Sequence, residues 1–127
     1  MMNLLLVALG GAIGAGGRHL VNFGSARALG TDFPWGTAIV NVTGSLVMGL
    51  LAGWLALRAD QSWSQHLRLF LTTGILGGYT TFSAFSLDAG LLIEKHAYAP
   101  AAAYILGSVM LSILGLFAGL WLVRAIS

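Results

Sequence analysis

The 127-residue chain has no cysteine and few charges, and each shortage removes a class of protein. Without cysteine there are no disulfides and no thiolate metal sites, and the redox compartment is left open. Charged residues make up 8% and hydrophobic residues 57%, against roughly 25% charged in ordinary soluble domains, so there is too little polarity to coat a globule. The natural solvent of such a chain is lipid. No Asp or Glu occurs before Asp32, so the first apolar run has no carboxylate to protonate. The six basic residues give a formal net charge of +2 but lie scattered at segment ends, forming neither a nucleic-acid stripe nor a lipid-binding cluster. No nucleic-acid partner is expected. His19, His66 and His96 fall near the ends of different segments with no partnered carboxylate or metal-ligand spacing, so an enzyme is not expected either. The opening Met1-Met2-Asn3 lacks the basic start of a signal peptide, and no cleaved leader is expected.

What is present is apolar length. A spanning helix needs about 20 mainly apolar residues, and polar punctuation cuts the chain into four such pieces, over residues 3–23, 35–57, 66–92 and 101–123. The intervening turns are expected at Gly24 to Pro34, Arg58 to Gln65 and Glu94 to Pro100. The expected fold is an all-α membrane protein, one domain over residues 1–127 with four transmembrane helices, lying as a multi-pass protein in the cell (inner) membrane. Little chain is left for a soluble domain. Trp35, Trp63 and Trp121 fall near predicted span ends, where tryptophan anchors a helix at the interface. Four spans would put Arg58, Arg68 and Arg124 on one side and Arg18, Arg27 and Lys95 on the other. That balance gives no positive-inside preference. It reflects either a scarcity of charge or insertion in both orientations, and the latter would allow an antiparallel homodimer.

Eighteen glycines carry packing information, because lipid gives helices no hydrophobic reason to associate and close backbone approach must replace it. Gly10, Gly14 and Gly17 share a stripe of the first span, Gly49 and Gly53 one of the second, and Gly115 and Gly119 one of the fourth. The third span contains Gly74-Ile75-Leu76-Gly77-Gly78-Tyr79-Thr80-Thr81-Phe82-Ser83-Ala84-Phe85-Ser86, a poor continuous helix. Paired glycines and a hydroxyl cluster predict a helix broken near its middle. Backbone groups freed by a break must be buried against protein, water or an ion, and broken helices tend to sit at ion pathways. A kinked helix whose hydroxyls bond back to their own turns is the alternative from spacing alone.

The run Gly77-Gly78-Tyr79-Thr80-Thr81-Phe82-Ser83-Ala84-Phe85 closely resembles the GG-[FY]-TTFS-[TS]-F signature of the Fluc family of fluoride channels. Trp35-Gly36-Thr37 with Asn41, Gly44 and Ser45 resembles the family's WGT-x-x-x-N-x-x-GS helix, and Gly14-Ala15-Gly16-Gly17-Arg18 its G-x-x-x-R. The chain departs at Ala84, where a hydroxyl is common, and at Asp88, where glutamate is more usual. The resemblance implies a passive, fluoride-selective channel built as a dual-topology homodimer with two antiparallel pores, which limits fluoride toxicity. It also implies one central structural sodium ion (Na+) held by backbone carbonyls of Gly77 and Thr80 from both chains. The fluoride pathway it implies is Phe82, Phe85, Asn41, Ser83, Thr81, Tyr104 and Ser108. An aromatic ring has a positive edge, so phenylalanine edges suit an anion that a full charge would hold too tightly.

Two polar stripes accompany that signature. Thr37, Asn41 and Ser45 recur at four-residue spacing, as do Tyr104, Ser108 and Ser112 on the last span. Ser45 and Ser112 read more simply as serines bonding their own backbone. Arg18 either draws anions into a vestibule or snorkels to the interface. A small dual-topology multidrug or cation exporter has a similar length and span count, but it works through a carboxylate in its first span.

Overall fold

The first apolar run forms one helix, α1 (Met2–Leu29), longer than the 3–23 expected. Nothing between Gly24 and Leu29 stops a helix, and Arg27 sits in the last turn, where the carbonyl end of the helix favours a cation. The stop is Gly30, whose φ of 84° lies in the left-handed region open to glycine, so the turn is confined to the residues from Gly30 to Pro34. After it come α2 (Trp35–Ala56) and, at the far end of the chain, α6 (Tyr98–Ile126), which carries Pro100 in its first turn, where proline is tolerated. The computed structural model describes residues 1–127, and its regular elements are all helices, with no strand.

The segment expected as a third span is several pieces. An α-helical turn, α3 (Ser64–Arg68), runs into a wider π-helical stretch (Leu69–Leu76) and then α4 (Gly77–Tyr79). The chain next becomes extended at Thr80 and Thr81 and restarts as α5 (Phe82–Glu94). Thus α1, α2 and α6 are long and apolar enough to cross a membrane, and the remaining segment is divided.

The glycine stripes decide who packs on whom. A Cβ at Gly10 would lie 2.9 Å from Gly74 Cα, and one at Gly14 would collide with the carbonyl of Ile75, so α1 lies backbone to backbone against the π-helical stretch. On the other side α2 packs most extensively on α6. There a Cβ at Gly119 would lie 2.6 Å from Leu50 N, and one at Gly49 would strike the Leu116 carbonyl. A Cβ at Gly53 would lie 3.2 Å from Val123 Cβ, a tight approach. The outward faces are apolar: Leu9, Ile13 and Leu20 of α1 and Leu106, Met110, Leu114 and Phe117 of α6 are all exposed, as lipid requires. Trp35, Trp63 and Trp121 are exposed too, at or near helix ends.

Candidate functional site at the broken helix

A helix that stops leaves its last carbonyls without donors, and the one that restarts leaves its first amides without acceptors. At Thr80 (φ −86°, ψ 156°) and Thr81 (φ −152°, ψ 123°) both problems meet. The Leu76 carbonyl accepts the Thr80 amide at 3.0 Å and the Thr80 hydroxyl at 2.9 Å. Arg18 reaches across from α1, and its Nε donates to the Gly78 carbonyl at 3.1 Å. Asn41 of α2 pairs with Thr81 as a strand neighbour would: the Thr81 amide donates to Oδ1 at 2.8 Å, and Nδ2 donates to the Thr81 carbonyl at 3.0 Å. Thr81 also caps α5, its hydroxyl accepting from the Ala84 amide at 3.1 Å and lying 3.3 Å from the Ser83 hydroxyl.

The break therefore lies after the glycine pair. Gly77 and Gly78 are helical, and Gly78 is small for a packing reason: its Cβ would sit 3.0 Å from Gly11 Cα and 3.1 Å from Ala15 N. The hydroxyl residues, with a side-chain amide to replace the lost backbone pairing, carry the interruption. Tyr79, the last helical residue before it, lays its ring beside Gly17 of α1 and Gly44 of α2. Thr43 gives its proton to the Ile39 carbonyl at 2.6 Å, so the Tyr79 hydroxyl donates to Thr43 Oγ1 at 2.9 Å.

Beside the break an open groove of about 460 Å³ runs between α2, α5 and α6. Asn41, Thr80, Thr81, Phe82, Phe85 and Ser108 all line it, together with Ser45 and Ser112. Ser108 is buried, and its Oγ has no hydrogen-bond partner at all. A buried hydroxyl of that kind needs an explanation, and its position on the groove supplies one. The two phenylalanines differ. Phe82 is 77% exposed, whereas Phe85 is 9% exposed and belongs to a small core with Ala89, Leu92, Ala101 and Tyr104. Their ring centroids are 5.6 Å apart.

Other expected site residues lie off the groove. Tyr104 is 1% exposed, with its ring 5.1 Å from Phe85 and edge-on to Phe33 at 5.5 Å. Its hydroxyl donates to Asp88 Oδ2 at 3.1 Å, a pairing across two helices that no local spacing announces. Ser83 is exposed and Gly77 faces outward, while Arg18 is half-buried against α4. Ser45 and Ser112, read from sequence as serving their own helices, sit instead on the groove wall, with no hydrogen bond from either hydroxyl. Their four-residue spacing from Asn41 and Ser108 was the available signal.

Residues 5–120 match the family described as CrcB-like protein, Camphor Resistance (CrcB). The fluoride-specific ion channel FluC of Rhodopseudomonas palustris is 63% identical over 126 residues, covering 99% of this chain and 100% of its own. The fluoride-specific ion channel FluC 2 of Nitrobacter hamburgensis is 59% identical over 97% of this chain and 98% of its own. FluC of Chelativorans sp. is 59% identical, with 99% of each chain covered. With a family match over most of its length and relatives that share well over half of its residues, the chain belongs to the CrcB-like family.

Proposed function

We propose that this protein is a fluoride-selective channel of the cell membrane, through which fluoride leaves passively and its toxicity is limited. The observation that carries the reading is identity of 63% over nearly the full length to a protein named as a fluoride-specific ion channel. The groove beside the break supports it with suitable chemistry. Ring edges of Phe82 and Phe85 offer a weakly positive surface, and the Ser108 hydroxyl is a donor with no partner within the chain. A partly dehydrated anion meets donors there without a full charge to trap it. Asn41 retains one amide proton beyond its bond to Thr81, so it both holds the break and offers a donor to the groove. Ser83 and Thr81 add hydroxyls at one end, and Tyr104 acts through the ring of Phe85. The chemistry is transport without bond making, so no enzyme is proposed.

The segment Ser64–Glu94 is the fourth crossing in this reading, completing a single transmembrane domain over residues 1–127. One chain leaves the groove open and Phe82 bare, so an antiparallel second copy is proposed as the missing wall. A structural sodium ion fits the donor set. The Thr80 carbonyl accepts no hydrogen bond, and the face at Gly77 is uncrowded, with Thr72 O at 3.7 Å the only atom near its missing Cβ. One chain supplies two carbonyls, Gly77 and Thr80, and a twofold partner would double them. Such an ion would place fixed positive charge beside the anion route.

Purified protein in liposomes loaded with fluoride should release it rapidly once a potassium ionophore is present, and release little when loaded with chloride. Equal release of both anions, or of neither, would overturn the reading. Cysteines placed at Gln61 and at Ala97 should each be labelled from both sides of the native membrane. Single-sided labelling at both would remove the antiparallel pair. Gly77→Val tests the interface: the lone chain has room for the side chain, so a loss of dimer with helicity kept is expected.

A further inference from the structure

Arg18 makes a contact that neither of the sequence readings named. Its Nε points inward, onto the Gly78 carbonyl sixty residues away, at the point where the half-helix ending in Tyr79 stops. That end carries the negative pole of the helix dipole and carbonyls whose partners were lost at Thr80. We propose that Arg18 is a positioning residue that locks the broken helix, holding the Gly78 carbonyl from the α1 side while Asn41 holds Thr81 from the α2 side. The two latches act on residues three apart in sequence, and the groove-lining Thr80 lies between them. Neither is redundant. Asn41 fixes the start of α5, whereas Arg18 fixes the end of α4 and its carbonyl direction.

The close approach that makes this possible is built from glycine. Gly14 lets α1 touch the Ile75 carbonyl, and Gly17 lies against the Tyr79 ring, with its missing Cβ 3.7 Å from Cδ1. Arg18, the next residue, is thereby brought within reach of the last turn. A guanidinium suits the place for two reasons. Its charge is permanent, and it offers the helix end a fixed cation that softens the carbonyl potential an anion would otherwise meet beside the groove. Its fork of donors also fixes a direction, which a lysine's rotating ammonium does less well.

The mechanical part of this role stands apart from the identity of the permeant ion, while the effect on flux rests on the fluoride reading. The test uses the full chain reconstituted in lipid nanodiscs, with Arg18→Gln, Arg18→Lys and the parent compared. Hydrogen exchange of the peptide covering residues 77–85 should speed up about tenfold in Arg18→Gln and less in Arg18→Lys, with α2 and α6 unchanged. In liposomes, maximal fluoride efflux should fall in the same order, while the half-saturating fluoride concentration stays constant. A vestibule role predicts the opposite pattern, with unchanged exchange, an unchanged maximum, a raised half-saturating concentration and full rescue by Arg18→Lys. That result would overturn the proposal. Faster exchange across the whole chain would also overturn it, because Arg18 would then be a general packing residue. If the parent carries no fluoride yet exchange at residues 77–85 responds as stated, the channel reading fails and the latch stands.

Discussion

The pair α2 and α6 and the interrupted segment Ser64–Glu94 solve the same problem in opposite ways. Both must give their backbone groups partners, and both use glycine for close approach. In the pair, each helix is continuous, and the contact is backbone on backbone around Gly49 and Gly119. In the interrupted segment the helix gives up its own bonds at Thr80 and Thr81 and regains them from Asn41, Arg18 and the Thr81 hydroxyl. The pair is a wall. The break is where polar side chains, an orphan hydroxyl and aromatic rings meet on one groove. Continuous helix hides the backbone completely, so chemistry collects where helix is absent.

Four substitutions press on that contrast. The largest effect should come from the wall: Gly49→Val drives a side chain into the Leu116 carbonyl and should cost about 3 kcal/mol, with little folded protein recovered on gel filtration. Flux per folded molecule should stay near the parental value. If Gly49→Val protein is abundant and stable, the wall is not held by backbone contact.

Phe82→Ile should do the reverse. The residue is exposed in the single chain, so the fold should lose under about 1.5 kcal/mol, measured by thermal unfolding. Fluoride efflux should nevertheless fall about a hundredfold, because a barrier higher by about 2.7 kcal/mol slows passage by that factor. Parental efflux from Phe82→Ile would return the ring to a packing role and move the pathway elsewhere.

Asn41→Ala tests both sides of the contrast in one residue. It strips the Thr81 amide and carbonyl of their partner at once, a cost of about 2 kcal/mol, and also removes a donor from the groove. Exchange at the break and loss of flux should therefore rise together. A normal exchange pattern with slowed flux would separate the donor role from the latch.

The smallest effect belongs to Thr81→Ala. The cap on the Ala84 amide is worth about 1 kcal/mol, and Asn41 still holds the Thr81 backbone, so α5 should fray at its first turn without leaving its place. Efflux should drop only a few-fold. A collapse as large as that of Phe82→Ile would mean that the hydroxyl itself meets the ion.

Much of this arrangement is legible in the residues because lipid imposes simple rules. Apolar length marks α1, α2 and α6, and the four-residue spacing of Gly10 with Gly14 and of Gly115 with Gly119 marks the faces that touch. The groove collects Asn41, Thr80, Thr81, Phe82, Phe85 and Ser108, six residues singled out from the sequence. Three glycines and a hydroxyl cluster between Gly74 and Ser86 also marked that stretch as a poor continuous helix, broken or kinked. Where within that stretch the helix stops depends on neighbours far away in the chain. Gly78 carries no side chain because α1 needs the room, and Thr81 is extended where Asn41 stands opposite with an amide to pair with it. The partners of Arg18 and Tyr104, Gly78 and Asp88, are likewise long-range, separated by 60 and 16 residues. Periodicity reports which face of a helix a residue occupies. Only packing decides what stands across from that face, because partner choice depends on which helices lie side by side and at what depth, and those are properties of the assembled bundle.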